Sequence, residues 1–204
     1  MTADPSAARI VDLYREGADD WIAARVELAE EERPWIDRFI AALPPGGSVL
    51  DVGCGSGRPI ADLLIAEGFR VTGVDASARL LDHARVRLPQ GEWIEADMRA
   101  LNLGRRFDGV LAWSSLFHLS PEDQRQTLPR LTAHAAGVLM FNAGHACETR
   151  LGQWRGEPLH HASLDPGEYA DILRRGGLAP ETASGGVMGS RDGKVWLARR
   201  MKAS

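Results

Sequence analysis

Short apolar runs alternate with segments of helical period along most of the chain, the pattern of an α/β protein built on a parallel sheet. Ser48 to Val52, Arg70 to Asp75, Gly91 to Ala96, Phe107 to Trp113, Gly137 to Asn142 and Val195 to Ala198 read as strands. Helical faces fall between them, at Ile60, Leu63 and Leu64 and again at Leu80, Leu81, Ala84 and Leu88. Two later helices announce their starts. Ser120-Pro121-Glu122-Asp123 and Asp165-Pro166-Gly167-Glu168 each offer a capping side chain, a proline for the first turn and acids for the positive end of the helix dipole. The second runs through Tyr169, Ile172 and Leu173 and stops at Gly176-Gly177. Ahead of the sheet, Ile22, Val26 and Ala29 share one helical face, and Ile36, Phe39, Ile40 and Leu43 share another. Pro34 separates the two, and Pro44-Pro45-Gly46-Gly47 ends the second. The expected architecture is a doubly wound sheet with helices on both faces, in one domain over residues 1–204, with residues 1–45 as an N-terminal helical cap.

Two stretches carry no clear period. Residues 143–164 are too long for an ordinary connection, yet hold His145, Trp154, His160 and His161, and they read as a lid-like insertion. The glycine-rich stretch from Leu178 to Lys194 receives no assignment.

Composition narrows the class. A chain of 204 residues, 44% hydrophobic and 25% charged, buries enough surface to need no disulfide or metal staple. The net charge of −4 lacks the basic face of a nucleic-acid binder. Cys54 and Cys147 are too few for a disulfide scaffold, no apolar run approaches the eighteen or so residues that cross a bilayer, and acids interrupt any apolar leader in the first thirty residues. The expectation is a cytoplasmic protein with neither nucleic acid nor membrane as partner.

The chemistry concentrates in Asp51-Val52-Gly53-Cys54-Gly55-Ser56-Gly57, between the first strand and the following helix. Alternate glycines let the backbone turn tightly and lie against a ligand. The dinucleotide fingerprint G-x-G-x-x-G, counted from Gly53, needs a small residue at position 58, where Arg58 stands. Asp51 beside the cradle repels a pyrophosphate and suits a ligand that carries a cation.

With Asp75 ending the second strand, Ala96-Asp97-Met98 following the third and Phe107-Asp108-Gly109-Val110-Leu111-Ala112-Trp113 forming the fourth, the chain resembles the class I S-adenosylmethionine-dependent methyltransferases over roughly residues 36–142. The resemblance implies a Rossmann-like sheet of about seven strands whose last strand is antiparallel. It implies S-adenosylmethionine as methyl donor and S-adenosylhomocysteine as product. Asp75, eighteen residues beyond Gly57, is placed to accept both ribose hydroxyls. Asp97 is implied as acceptor for the adenine amino group, with Met98, Ala76 and Leu80 around the ring. Gly53, Cys54, Gly55, Gly57, Asp51 and Trp113 complete the expected cofactor set. The bland alternatives are a tight strand–helix turn and turn-forming acids with no ligand.

Methyl transfer from a sulfonium is an in-line displacement that depends chiefly on alignment, and it needs a base only for an acceptor that arrives protonated. His118 and His145 are the candidate bases; for His118 the favoured reading is a histidine packed beneath the next helix. Tyr14, Trp21, Arg25 and Trp154 are the expected acceptor pocket, though the aromatics read equally well as packing residues. Arg25 and Arg58 also stand as partners for a methionine carboxylate or as solvated cations. The adjacent His160 and His161 point to opposite faces in an extended segment, so no metal site is expected. After the fourth strand, Ala112-Trp113-Ser114-Ser115 departs from the motif by which relatives methylate nucleic-acid amino groups, and neither cysteine follows a proline as a cytosine C5 nucleophile does. The resemblance therefore implies a small O, N or S acceptor. The rival readings are an NAD-dependent oxidoreductase and a non-catalytic S-adenosylmethionine-binding sensor.

Overall fold

Alternation along the strands sends every second side chain to the opposite face of one twisted sheet. In the computed structural model, which describes residues 5–143, 147–181 and 194–201, that sheet has seven strands. They are β1 (Ser48–Val52), β2 (Arg70–Asp75), β3 (Glu92–Glu95), β4 (Phe107–Ala112), β5 (Ala135–Ala143), and two further strands at the far edge, Leu178–Glu181 and Lys194–Arg200. From one edge the order is β3, β2, β1, β4, β5, Lys194–Arg200, Leu178–Glu181. The first five are parallel, and Lys194–Arg200 runs antiparallel to β5. Sequence order reverses between β1 and β4, the switch point outside whose strand ends such sheets bind ligands.

Four helices lie ahead of β1: α1 (Pro5–Ala8), α2 (Ile10–Glu16), α3 (Ala18–Ala24) and α4 (Arg33–Ile40). The helices of the sheet are α5 (Ile60–Ala66), α6 (Ala78–Arg87), α7 (Pro121–His134) and α8 (Pro166–Arg175). Val49 and Leu111 join Ile36, Phe39, Leu64 and Leu81 in one buried cluster under α4, α5 and α6. Leu50, Val52, Val110 and Phe141 join Leu128, Leu131, Ile172 and Leu173 in the other, under α7 and α8. Both caps read from sequence form: Ser120 Oγ accepts from Asp123 N–H, and Asp165 Oδ1 accepts from Gly167 N–H.

Three expectations change. The helical face through Ile22, Val26 and Ala29 does not form, because α3 ends at Ala24 and the chain runs irregularly to the start of α4. The helical period lies further upstream, at Ile10, Leu13, Tyr14, Gly17 and Trp21. The aperiodic stretch 143–164 holds a hairpin of β6 (Thr149–Trp154) and β7 (Glu157–Ala162), paired only with each other. Its two-residue turn, Arg155-Gly156, has φ of 57° and 82°, the double left-handed geometry that matches strand twist. Finally, Leu178–Glu181, which received no assignment, is the edge strand β8, making Lys194–Arg200 β9. Most of the rest of that stretch lies outside the described residues.

The hairpin is anchored at its base by Gln124. Its amide donates to the Leu119 and Ala162 carbonyls, and its carbonyl accepts from Tyr169 Oη. Among the described residues no helix is long and apolar enough to cross a membrane.

Candidate cofactor and acceptor cleft

The loop after β1 carries three glycines with φ of 76°, 56° and 77°, a left-handed run that other residues adopt only with strain. It is held by two backbone donors, Gly53 N–H and Cys54 N–H, both on the Val74 carbonyl. Asp75, at the end of β2, accepts from Gly55 N–H through Oδ2 and from Ser77 N–H through Oδ1, both at 2.9 Å. Loop and carboxylate thereby fix each other at the switch point.

A cleft enclosing about 690 Å³ of empty space, counting its open mouth, lies over these strand ends. Its floor comes from the segments after β1 (Gly53, Gly55), β2 (Asp75, Ala76, Ser77), β3 (Ala96, Asp97, Met98) and β4 (Ser114, Ser115, His118), with Leu80 from α6. Its roof is Ile10, Val11, Tyr14 and Trp21 from α2 and α3. A Cβ on Gly53 would sit 2.4 Å from Ser115 Cβ, so the glycine is required for the two loops to approach. Ser77 Oγ is buried in the wall without a hydrogen-bond partner.

Desolvation raises the pKa of Asp75, against the backbone donors and Arg15, which lower it. Asp51 is fully enclosed behind the loop. Burial, and then the Asp75 charge, push its carboxyl up to about 7. Asp97 is held below its usual value by Arg99, whose side chain and backbone N–H donations overcome the desolvation.

At the other end of the cleft, His118 Nδ1 lies 2.9 Å from the His160 carbonyl, which can only accept. The hydrogen is therefore on Nδ1, and Nε2 accepts the Tyr14 hydroxyl at 3.0 Å. Burial pushes the His118 imidazole down to about 3 and raises the Tyr14 phenol. Tyr14 stacks on Trp154 at 5.0 Å and meets Trp21 edge-on at 5.2 Å. Ser114 is a non-glycine residue at φ 50°, and its strained turn is held by the buried Asn142, whose Oδ1 accepts from Ser114 N–H at 2.7 Å.

Of the residues expected at the site, ten line this cleft: Gly53, Gly55, Asp75, Ala76, Leu80, Asp97, Met98, Tyr14, Trp21 and His118. Six stand elsewhere, each for a visible reason. Asp51 lies behind the loop. Cys54 packs into the α5–α6 cluster, its thiol raised well above the usual value by burial. Gly57 faces Leu88 and Trp93, which would meet a Cβ at about 3 Å, so the third glycine serves helix packing. Trp113 is buried beneath α4 and donates its indole N–H to Glu32 Oε1. Arg25 binds the same Oε1 at 2.7 Å and is not on the cleft wall. Trp154 sits one layer out, behind Tyr14. Arg58 lies 3.8 Å from Asp62. His145 lies outside the described residues. Ile10, Val11, Ser77, Ser114 and Ser115 line the cleft without having been singled out in the sequence; only Ile10 and Val11 left a signal, in the helical period that leads to Trp21. His160 and His161 point to opposite sides of β7: His160 Nδ1 lies 3.2 Å from Ser6 Oγ, and the His161 ring lies 4.9 Å from that of His118. Among the described residues no three His, Cys, Asp or Glu side chains gather as a metal site would need.

Residues 49–136 match the model of a family described as a methyltransferase domain. The trans-aconitate 2-methyltransferase of Azoarcus sp. (strain BH72) is 39% identical over 150 residues, covering 70% of this chain and 55% of that protein. The dTDP-3-amino-3,6-dideoxy-alpha-D-glucopyranose N,N-dimethyltransferase of Streptomyces fradiae is 39% identical over 142 residues, or 65% and 52% of the two chains. The chain thus spans about half the length of these curated relatives. In fold it superposes on magnesium protoporphyrin IX methyltransferase of Synechocystis PCC 6803 with a TM-score of 0.74 and 20% identity, over 96% of this chain and 100% of that one. With the switch-point cleft, the glycine loop and the acids after β2 and β3, these likenesses place the chain in the class I S-adenosylmethionine-dependent methyltransferase family.

Proposed function

We propose that this chain transfers a methyl group from S-adenosylmethionine to a small-molecule acceptor and releases S-adenosylhomocysteine. The observation that carries the reading is Asp75: a carboxylate at the end of β2, fixed by Gly55 N–H and Ser77 N–H at the cleft floor. A carboxylate has about four lone-pair sites, so oxygens held by these backbone donors can still accept from ribose hydroxyls.

The remaining floor fits the same ligand. Asp97, kept ionised by Arg99, accepts the adenine amino group, and Ala76, Leu80 and Met98 bound the ring. Gly53 and Gly55 leave room for the methionine part, and Ser77 Oγ, buried without a partner, gains one when the adenosyl group is bound. The anionic floor favours an ammonium and a sulfonium. When bound, the cofactor supplies an electrophilic methyl carbon.

The protein's contribution is enclosure and alignment. Helices α2 and α3 act as the cap and the β6–β7 hairpin backs it: Arg15 Nε donates to the Ala76 carbonyl, Arg79 clasps Asp19 through two hydrogen bonds of 2.8 Å, and Trp154 stacks on Tyr14. Tyr14, Trp21 and His118 face the acceptor. His118 orients Tyr14 rather than taking a proton, since its Nε2 is already engaged. The location inferred is the cytoplasm.

Thermal melting with S-adenosylhomocysteine, S-adenosylmethionine or NAD tests the reading. Ligand at 100 times its dissociation constant adds about 2.7 kcal/mol of stability. A rise with both sulfur ligands and none with NAD is expected. A rise with NAD alone would mark an oxidoreductase, and binding without product from any acceptor would mark a sensor.

A further inference from the structure

The acceptor end of the cleft has a defined hydrogen-bond polarity. The His160 carbonyl takes the hydrogen on His118 Nδ1, and His118 Nε2 takes the hydrogen of Tyr14, so Tyr14 Oη offers only lone pairs to a guest. The charged side chains on the cleft wall are the carboxylates of Asp75 and Asp97; among the described residues no lysine or arginine lines it. The arginines of the roof are already engaged: Arg9 with Glu157, Arg25 with Glu32, Arg155 with Asp20, and Arg15 with the Ala76 carbonyl. The rest of the roof is apolar or aromatic.

An anionic acceptor finds nothing here to neutralise it, because recognition of a carboxylate needs a cation or converging N–H donors. A hydroxyl acceptor fails on a different count. It must lose its proton as it attacks, and a phenol, with a pKa of about 10, would have to yield it to an imidazole that burial holds near 3 and whose Nε2 is occupied. A neutral amine meets neither obstacle.

Resting on the methyltransferase reading, we infer that the acceptor is an uncharged amine on an apolar, ring-sized body, its N–H donated to Tyr14 Oη and its lone pair left free to attack. The lone pair forms the new N–CH₃ bond as the C–S bond breaks. That bond's electron pair goes to sulfur, turning sulfonium into thioether. The positive charge passes to nitrogen, the product leaves as an ammonium and loses its proton in water, and no protein base is consumed.

The test follows S-adenosylhomocysteine release with benzene, cyclohexane and tetrahydropyran bodies, each carrying an amine, a hydroxyl or a carboxylate, with trans-aconitate beside them. Amines should exceed their hydroxyl partners at least tenfold in kcat/KM, and carboxylates should not rise above the acceptor-free rate. For the amines, kcat/KM should climb tenfold per pH unit below the amine pKa. Tyr14→Phe should lower it at least tenfold while the melting rise given by S-adenosylhomocysteine stays within a degree of the parent's. Hydroxyls or carboxylates turned over as well as amines, no amine turned over, or an indifferent Tyr14→Phe would each overturn the inference. If S-adenosylhomocysteine itself fails to raise the melting temperature, the methyltransferase reading falls instead.

Discussion

The floor of the cleft and its roof are built by different rules. The floor is made where strands end, from backbone turns and the one or two side chains that follow each strand. Gly53, Gly55, Asp75 and Asp97 each sit within a few residues of β1, β2 or β3, so the sheet alone fixes their positions. The roof is made by side chains meeting across long separations: Tyr14 with His118, Trp154 with Tyr14, Arg79 with Asp19. A local rule leaves a local mark in sequence, whereas a contact between residues a hundred positions apart does not. On the methyltransferase reading proposed above, displacement depends on alignment, so the floor would settle what is bound and the roof what is methylated.

The sharpest way to break that division is at Asp75. Asp75→Ala removes the acceptor for two proposed charge-assisted hydrogen bonds at roughly 1.5–3 kcal/mol each, a loss of about 100-fold or more in affinity for S-adenosylhomocysteine by calorimetry. Asp75→Asn, which keeps one acceptor oxygen, should fall between. Affinity unchanged by either substitution would take the ribose away from this carboxylate.

Next in size is the joint between roof and sheet. Glu32 is buried, and it accepts from Arg25, from Trp113 Nε1 and from Ala29 N–H, donations that outweigh its desolvation and hold its pKa below normal. Glu32→Ala leaves a half-buried guanidinium and a buried indole N–H without their acceptor, at a cost of roughly 2–4 kcal/mol. For a chain of this length that lowers Tm by roughly 4–16 °C. A change below 2 °C would show that this joint is solvated and not structural.

These contacts also explain what the sequence could not disclose. Arg25 reads as an open cation only while its partner is unknown; Glu32, seven residues on, has already taken it. Trp113 sits where a β4 residue would border a cofactor, and alternation alone cannot say that its face is the one covered by α4. The glycine loop and the acids after β2 and β3 were legible because each is a strand-end feature of fixed spacing. The hairpin β6–β7 was not, because most of its side chains are exposed on both faces and leave no period-two alternation.

A smaller effect belongs to pH. With its folded pKa raised to about 7, Asp51 is largely protonated in the ligand-free protein below neutrality. A bound ammonium favours the carboxylate, so binding expels the proton, and affinity for S-adenosylhomocysteine should rise with pH up to about 7, by at most tenfold per unit, then level off. Stability of the free protein runs the other way: a raised carboxyl pKa gives stability that is complete below the unfolded value near 4 and declines as pH approaches 7. Asp51→Asn should flatten both profiles. An unaltered pH slope in that variant would assign the titration to Asp75.

The smallest effect tests the roof's turn. Arg155 holds φ 57° before Gly156, in a two-residue hairpin loop where asparagine is favoured and a long side chain is strained by about 1–2 kcal/mol. Against this stands the Arg155 ion pair with Asp20 at 2.6 Å, between side chains 37% and 62% exposed. At that exposure a pair contributes about 0–1 kcal/mol and is screened by salt. Arg155→Asn should therefore stabilise the protein slightly, by about 0.5 kcal/mol, with the gain growing as salt is added because the lost ion pair counts for less. Since α3 and the hairpin meet at this pair, acceptor turnover should register the change while S-adenosylhomocysteine affinity does not. A variant less stable than the parent at high salt would show that Arg155 contributes through its packing over Trp154, 5.9 Å from that ring, more than through its charge.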